Sequence, residues 1–252
     1  MTAWNGVGHR WLLSFIPLFA SIIWFGGLLA MLIVWLARGQ PYYESMSEDQ
    51  TKAFISDIGA TDIKPLFITI CAVTSIGLLL ALICQLWLRR SERALAHERR
   101  RQRVLNTLSI VFSAIGAAAL ILLSVFDTVR YPTMHRLFLF IFIVGVVLSA
   151  IFTVFEFRSL SRSYPSERSI RRAFWMKNVL LILLAPAIIA FLVCLAVDID
   201  IAAVLEWIIA FLFTFYLLTF WQDLLIRTEE VVGETSPSSP TNIDLGEVTS
   251  TA

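Results

Sequence analysis

The run WLLSFIPLFASIIWFGGLLAMLIVWLA, residues 11–37, holds 27 residues and not one charged side chain. A helix needs about 20 predominantly apolar residues to cross the hydrocarbon core of a bilayer. The run is longer than the apolar core of a cleavable signal peptide, and no small-residue cleavage site follows it. It therefore reads as a retained membrane helix. Five further stretches share its character, at residues 65–88, 104–126, 135–157, 178–197 and 207–226. Their apolar residues are continuous rather than alternating, which argues against a barrel. A helix is the other structure that pairs every backbone N–H and C=O within lipid.

Composition agrees with this reading. Hydrophobic residues make up 58% of the chain and charged ones 15%, with a mean hydropathy of +0.78, against about 45–50% apolar residues in soluble domains. The expected fold class is all-α, a six-transmembrane-helix bundle over residues 11–226 with a short tail at 1–10. Residues 227–252, RTEEVVGETSPSSPTNIDLGEVTSTA, are polar and lack apolar periodicity. They read as a disordered tail offering Ser236 and Ser239, each followed by Pro, for phosphorylation. Spans and joining loops consume nearly all the length, so no separate catalytic domain is expected. Cys71, Cys84 and Cys194 all fall inside apolar runs, where a thiol behaves as a small hydrophobe rather than half of a disulfide.

The formal charge of +1 conceals a strong asymmetry. Arg89, Arg90, Arg93, Arg99, Arg100, Arg101 and Arg103 follow the second span, and Arg158, Arg162, Arg168, Arg171, Arg172 and Lys177 follow the fourth. By the positive-inside rule these two connections and both termini are cytoplasmic. Trp11, Trp35, Trp87, Trp175 and Trp207 stand at span ends, as an interfacial aromatic belt requires. The opposite face then carries the longest loop, residues 38–64, with FISDIGA at 54–60. Ser47 and Gln50 have capping-box spacing and predict a surface helix ending near Gly59, while Pro65 suits the first turn of the next span.

That outer face gathers Asp57, Asp127, His135, Asp198, Asp200 and Glu206. His135 and Glu206 immediately border spans, at interfacial depth, where an imidazole and a carboxylate can hold a metal, recognise a lipid headgroup or act as acid and base. The plainer reading is that the aspartates cap helices and satisfy loop backbone. No metal-ligand spacing and no cysteine pair is present, so neither metal nor cofactor is expected. No span carries a charge near its centre: Glu156 and Asp223 lie at the inner ends, with Gln85 nearby. That argues against a pump or a proton-coupled transporter. Ser109, Ser113 and Ala117, with Gly116 beside them, form a small-residue stripe suited to helix packing. The basic connections suit anionic inner-leaflet lipid, with contacts from Arg89, Arg90, Arg93, Arg99, Arg100, Arg101, Arg103, Arg168, Arg171 and Arg172.

FISDIGA before the second span, the aspartate and histidine of FDTVRYPTMH (126–135) leading into the fourth, and Glu206-Trp207 opening a last span that ends TFWQD (219–223) together resemble the Frag/DRAM/Sfk family of six-span membrane proteins. Ile58 departs from the small or hydroxylated residue that the resemblance leads one to expect. Matched motif by motif, the resemblance points to Asp57, Gly59, Asp127, His135, Glu206 and Trp207. It implies a non-enzymatic organiser of lipid, of phospholipid asymmetry or of a phosphatidylinositol 4-kinase assembly at the plasma membrane. It also offers two alternatives: a lipid or GPI-anchor remodelling factor using the outer polar face, and a lysosomal modulator of autophagy. Golgi and lysosome or vacuole are the other compartments it suggests, and no nucleic-acid partner is expected.

Overall fold

The computed structural model describes residues 3–91, 100–163 and 168–235. The described residues form seven helices: α1 (Ala3–Ala37), α2 (Ile55–Gly59), α3 (Lys64–Ser91), α4 (Arg100–Val125), α5 (Pro132–Ser163), α6 (Arg168–Val197) and α7 (Ile199–Thr235). All but α2 are long and apolar enough to span a bilayer. The spans form a closed ring in chain order, α1, α3, α4, α5, α6, α7, with α7 returning against α1. The seam between α4 and α5 is the most extensive and that between α5 and α6 the loosest.

The seams are built from small residues and buried polar pairs, because lipid removes the hydrophobic drive that joins helices in water. The stripe on α4 does what its spacing implies. Ser109, Ser113, Gly116 and Ala117 are all buried, and Gly116 lies directly against Gly145 and Val146 of α5. Ser109 Oγ donates to the Ser149 carbonyl (3.1 Å) and lies 2.6 Å from Thr153 Oγ1. Between α1 and α7, the Trp24 indole donates to the Ala210 carbonyl at 2.8 Å.

Several boundaries depart from the sequence reading. Helix α7 starts at Ile199 rather than Trp207, because the Asp198 carboxylate accepts from the amides of Asp200 and Ile201 and caps it there. Its backbone stays helical to Thr235, past the end of the apolar run, and α1 begins at Ala3 rather than Trp11. Ser47 starts no long surface helix. Gln50 does reach back to the Ser47 amide (3.1 Å), but this closes a turn, and only Ile55–Gly59 is helical. Trp87 and Trp175 face outward as a belt demands, whereas Trp35 is only 6% exposed and packs in the core. Ser236 and Ser239 lie outside the described residues. The cysteines are free thiols, with Cys71 buried and the others half-buried.

Candidate functional site

The acidic end of the bundle is organised by α2 and the extended residues before it. Asp57 is buried and its carboxylate accepts from Ser45 Oγ (2.6 Å), Gln50 Nε2 (3.0 Å) and the Phe54 amide (3.0 Å). It folds the loop onto itself. Gly59 closes the other side, since a Cβ there would meet the Phe67 ring at 2.5 Å, and Ile58 fills the core beneath. Only glycine lets α2 lie this close to α3.

Helix α7 grips the same loop by its backbone. Asp200 accepts from the amides of Thr51 (2.7 Å) and Lys52 (2.9 Å) and from the Thr51 hydroxyl. Trp207 Nε1 donates to the Ala53 carbonyl at 3.1 Å, and Glu206 Oε2 accepts from the Ile55 amide at 2.7 Å. Because α7 begins early, Glu206 sits about two turns inside the helix rather than at its opening. It belongs to the inward stripe Glu206, Ala210, Phe213, Leu217, Phe220 and Leu224, whose alternating four- and three-residue spacing follows one helix face.

The third part of this end lies at the α4–α5 turn. His135 is 3% exposed. Its Nδ1 donates to the carbonyls of Leu123 (2.8 Å) and Phe126 (2.9 Å), so the ring closes the C-terminal turn of α4. Asp127 accepts from Lys64 Nζ (2.6 Å) and the Arg130 amide (2.6 Å). The six residues singled out from sequence thus divide into two groups. Asp57, Gly59, Glu206 and Trp207 surround α2, while Asp127 and His135 secure the α4–α5 turn. His135 hydrogen-bonds to none of the acids, and among the described residues no cluster of three or more His, Cys, Asp and Glu is placed to hold a metal ion.

Asp127 gives this end a pH dependence. Burial pushes its carboxyl up, but the Lys64 bond and the Arg130 amide outweigh that and hold it below the ordinary carboxylate value of 3.8. A depressed folded value contributes stability above the unfolded value, and that stability is lost as pH falls through the folded one. The wild type should keep this contribution at pH 5 and lose it below about pH 4. Asp127→Asn should be less stable at pH 7 by about 1–2 kcal/mol, with a shallower acid decline. Thermal unfolding of both proteins in detergent from pH 7 to 3 checks this, and parallel curves would remove the assignment.

One cluster was not legible as a cluster from sequence, although Asp223, Gln85 and Lys177 were each noted. Lys177, counted there among the basic loop residues, is fully buried inside α6. Its ammonium lies 2.9 Å from Asp223 Oδ2, donates to Thr219 Oγ1 at 2.7 Å and sits 4.0 Å from the centre of the Phe220 ring. Gln85 of α3 donates to the same Asp223 oxygen at 2.8 Å. The signal was in the spacing, because Lys177 shares the stripe Ala173, Leu184, Phe191, the buried face of α6.

The opposite end is basic. Arg100, Arg101 and Arg103 at the start of α4, Arg158 and Arg162 at the end of α5, and Arg168, Arg171 and Arg172 at the start of α6 are all exposed. Arg93 and Arg99 lie outside the described residues, as do the side chains of Arg89 and Arg90.

Six apolar spans in a closed ring, with a loop clasped at one end and arginines at the other, define a polytopic integral membrane protein. Residues 12–226 match the model of the Frag1/DRAM/Sfk1/Cwh43P N-terminal domain, and the chain belongs to that family. Protein SFK1 of Saccharomyces cerevisiae is 28% identical over 181 residues, which is 61% of this chain and 51% of that protein. Protein sfk1 of Schizosaccharomyces pombe is 29% identical over 208 residues, 82% of this chain and 62% of its relative. The aligned region therefore spans between half and two thirds of these relatives' own length. No solved structure matches the chain.

Proposed function

We propose that this protein is a non-enzymatic membrane organiser whose arginine-rich end binds anionic lipid, phosphoinositides above all, in the cytoplasmic leaflet of the plasma membrane. In this orientation both termini are cytoplasmic and the clasped loop faces outward or into a lumen. The observation that carries the reading is the crowd of exposed arginines supplied by three adjacent spans, against a clasped end where Asp57, Asp127, Asp200 and Glu206 are engaged in holding the loop and the α4–α5 turn. Each basic residue near an anionic surface contributes roughly 1 kcal/mol, so several together discriminate strongly between lipids. Membership of the Frag1/DRAM/Sfk1 family agrees with the resemblance from which a role among lipids was expected. A phosphatidylinositol 4-kinase assembly is the partner we assign to the same face, which would position the enzyme beside its lipid.

The test uses the whole chain in phosphatidylcholine nanodiscs, titrated with a soluble short-chain phosphatidylinositol 4-phosphate. Changing Arg100, Arg101, Arg103, Arg168, Arg171 and Arg172 together to alanine should weaken binding at least about thirtyfold, equivalent to about 2 kcal/mol. Binding of equal strength in wild type and variant would sink the proposal.

A further inference from the structure

Inside the bundle lies a cavity of about 110 Å³ walled by residues of α2 and of all six spans, most of them from α5, α6 and α7. A second space of about 30 Å³ shares part of its walls and carries it deeper, to Tyr216. The two have in common Val146 and Val147 of α5, Leu184 and Ile188 of α6, and Phe213 of α7. From Leu139 to Ala150 on α5 the walls extend for roughly 16 Å at 1.5 Å per residue, about the thickness of one hydrocarbon leaflet. The slot lies along the loosest seam of the ring. The helices beside it present Phe140, Val144, Ile182 and Ile189 to lipid.

Apart from Tyr216 at the deep end and the Trp24 indole, which is spent on the Ala210 carbonyl, two polar side chains reach this otherwise apolar space, both beside α2. Ser56 is only 9% exposed, and its hydroxyl makes no hydrogen bond among the described residues. Glu206 spends Oε2 on the Ile55 amide, while Oε1 has no partner among the described residues. The second Glu206 oxygen and the Ser56 hydroxyl both face the slot with their hydrogen-bonding capacity unspent, so the arrangement has room for a ligand's polar group. No Lys, Arg or His lines the slot. A phosphate would find no countercharge there, whereas an uncharged hydroxyl could donate to Glu206 and accept from Ser56.

We propose that this slot is a lipid-binding site, taking one hydrocarbon chain of a neutral membrane lipid and seating its hydroxyl head between Ser56 and Glu206. FISDIGA then has two tasks: Asp57 locks the loop, and the preceding serine is lowered into the bundle as a ligand. The inference is independent of the arginine-rich end, since no residue of that face lines the slot.

The experiment incubates the purified full chain in detergent with 1,2-dioleoylglycerol or with its 3-acetyl ester, which keeps both chains and lacks the donor, and reads retained lipid by native mass spectrometry. Ceramide and a sterol in parallel arms establish which source of the hydroxyl is preferred. Dioleoylglycerol should be retained roughly tenfold better than its acetyl ester. Ser56→Ala and Glu206→Gln should each remove most of that preference, and Val147→Trp, which fills the slot, should abolish retention while thermal unfolding remains cooperative. Glutamine still offers an oxygen to the Ile55 amide, and Ser56→Ala leaves the clasp untouched, so loss of folding does not explain the result. Equal retention of both lipids overturns the hydroxyl assignment, and retention unaffected by Val147→Trp overturns the site.

Discussion

Replacing Lys177 by methionine should destabilise the bundle by about 3–5 kcal/mol, the largest loss expected of any single change described above. The reason is the group left behind. Asp223 is buried and shares one oxygen between Lys177 and Gln85, so losing the ammonium strands a carboxylate held by one amide donor. The double variant Lys177→Met with Asp223→Leu should recover most of the loss, because replacing both members of a buried pair by apolar groups of similar size is often close to neutral. Unfolding of the purified proteins in mixed micelles gives the comparison. If the double variant is as unstable as the single one, the pair is not the source of the effect, and Lys177 acts through its ring contacts with Phe157, Tyr216 and Phe220.

Gly145→Val should come next, at about 3 kcal/mol, with reduced folded yield. A Cβ on Gly145 would stand 2.8 Å from Gly116 N, 2.9 Å from Gly116 Cα and 3.0 Å from the Phe112 carbonyl oxygen. All three are backbone atoms of α4, so no rotamer change relieves the clash and the two helices must separate. Separation also stretches the Ser109 bonds to Ser149 and Thr153. Gly26→Ala is the control, since a Cβ there meets nothing within 4 Å and alanine is the better helix former. A Gly145 variant as stable as this control would mean that α4 and α5 do not approach as closely as described.

What the sequence disclosed depended on the length scale of the signal. The spans were legible because each needs only a long apolar run, and the α4 stripe because small residues at four-residue spacing have one common use in lipid. Helix starts were less legible. DIDIAAVLEW carries too many acids to score as a span, yet Asp198 caps it and Asp200 and Glu206 are occupied by the amides of residues 51, 52 and 55. Those bonds join residues about 150 positions apart, which no local pattern encodes. Lys177 was misplaced for the opposite reason. In RRAFWMKN it stands among arginines, and its position on the buried stripe of α6 shows only when Ala173, Leu184 and Phe191 are read with it. Ser56 went unnoticed beside Asp57, because the aspartate carries the obvious charge while the serine's importance lies in what it faces.

The closing of the ring by α7 sets the order in which the protein can mature as it is made. The last span brings the anion for Lys177 of α6 and the acceptor for Gln85 of α3, and it holds residues 51–55 by three side chains. Until α7 docks, Lys177 lacks its Asp223 and Thr219 partners, Gln85 lacks its acceptor, and the loop at residues 51–55 lacks its anchor. Docking of α7 is thus a single step that secures both ends of the bundle, the loop at one end and the buried Lys177–Asp223–Gln85 group at the other.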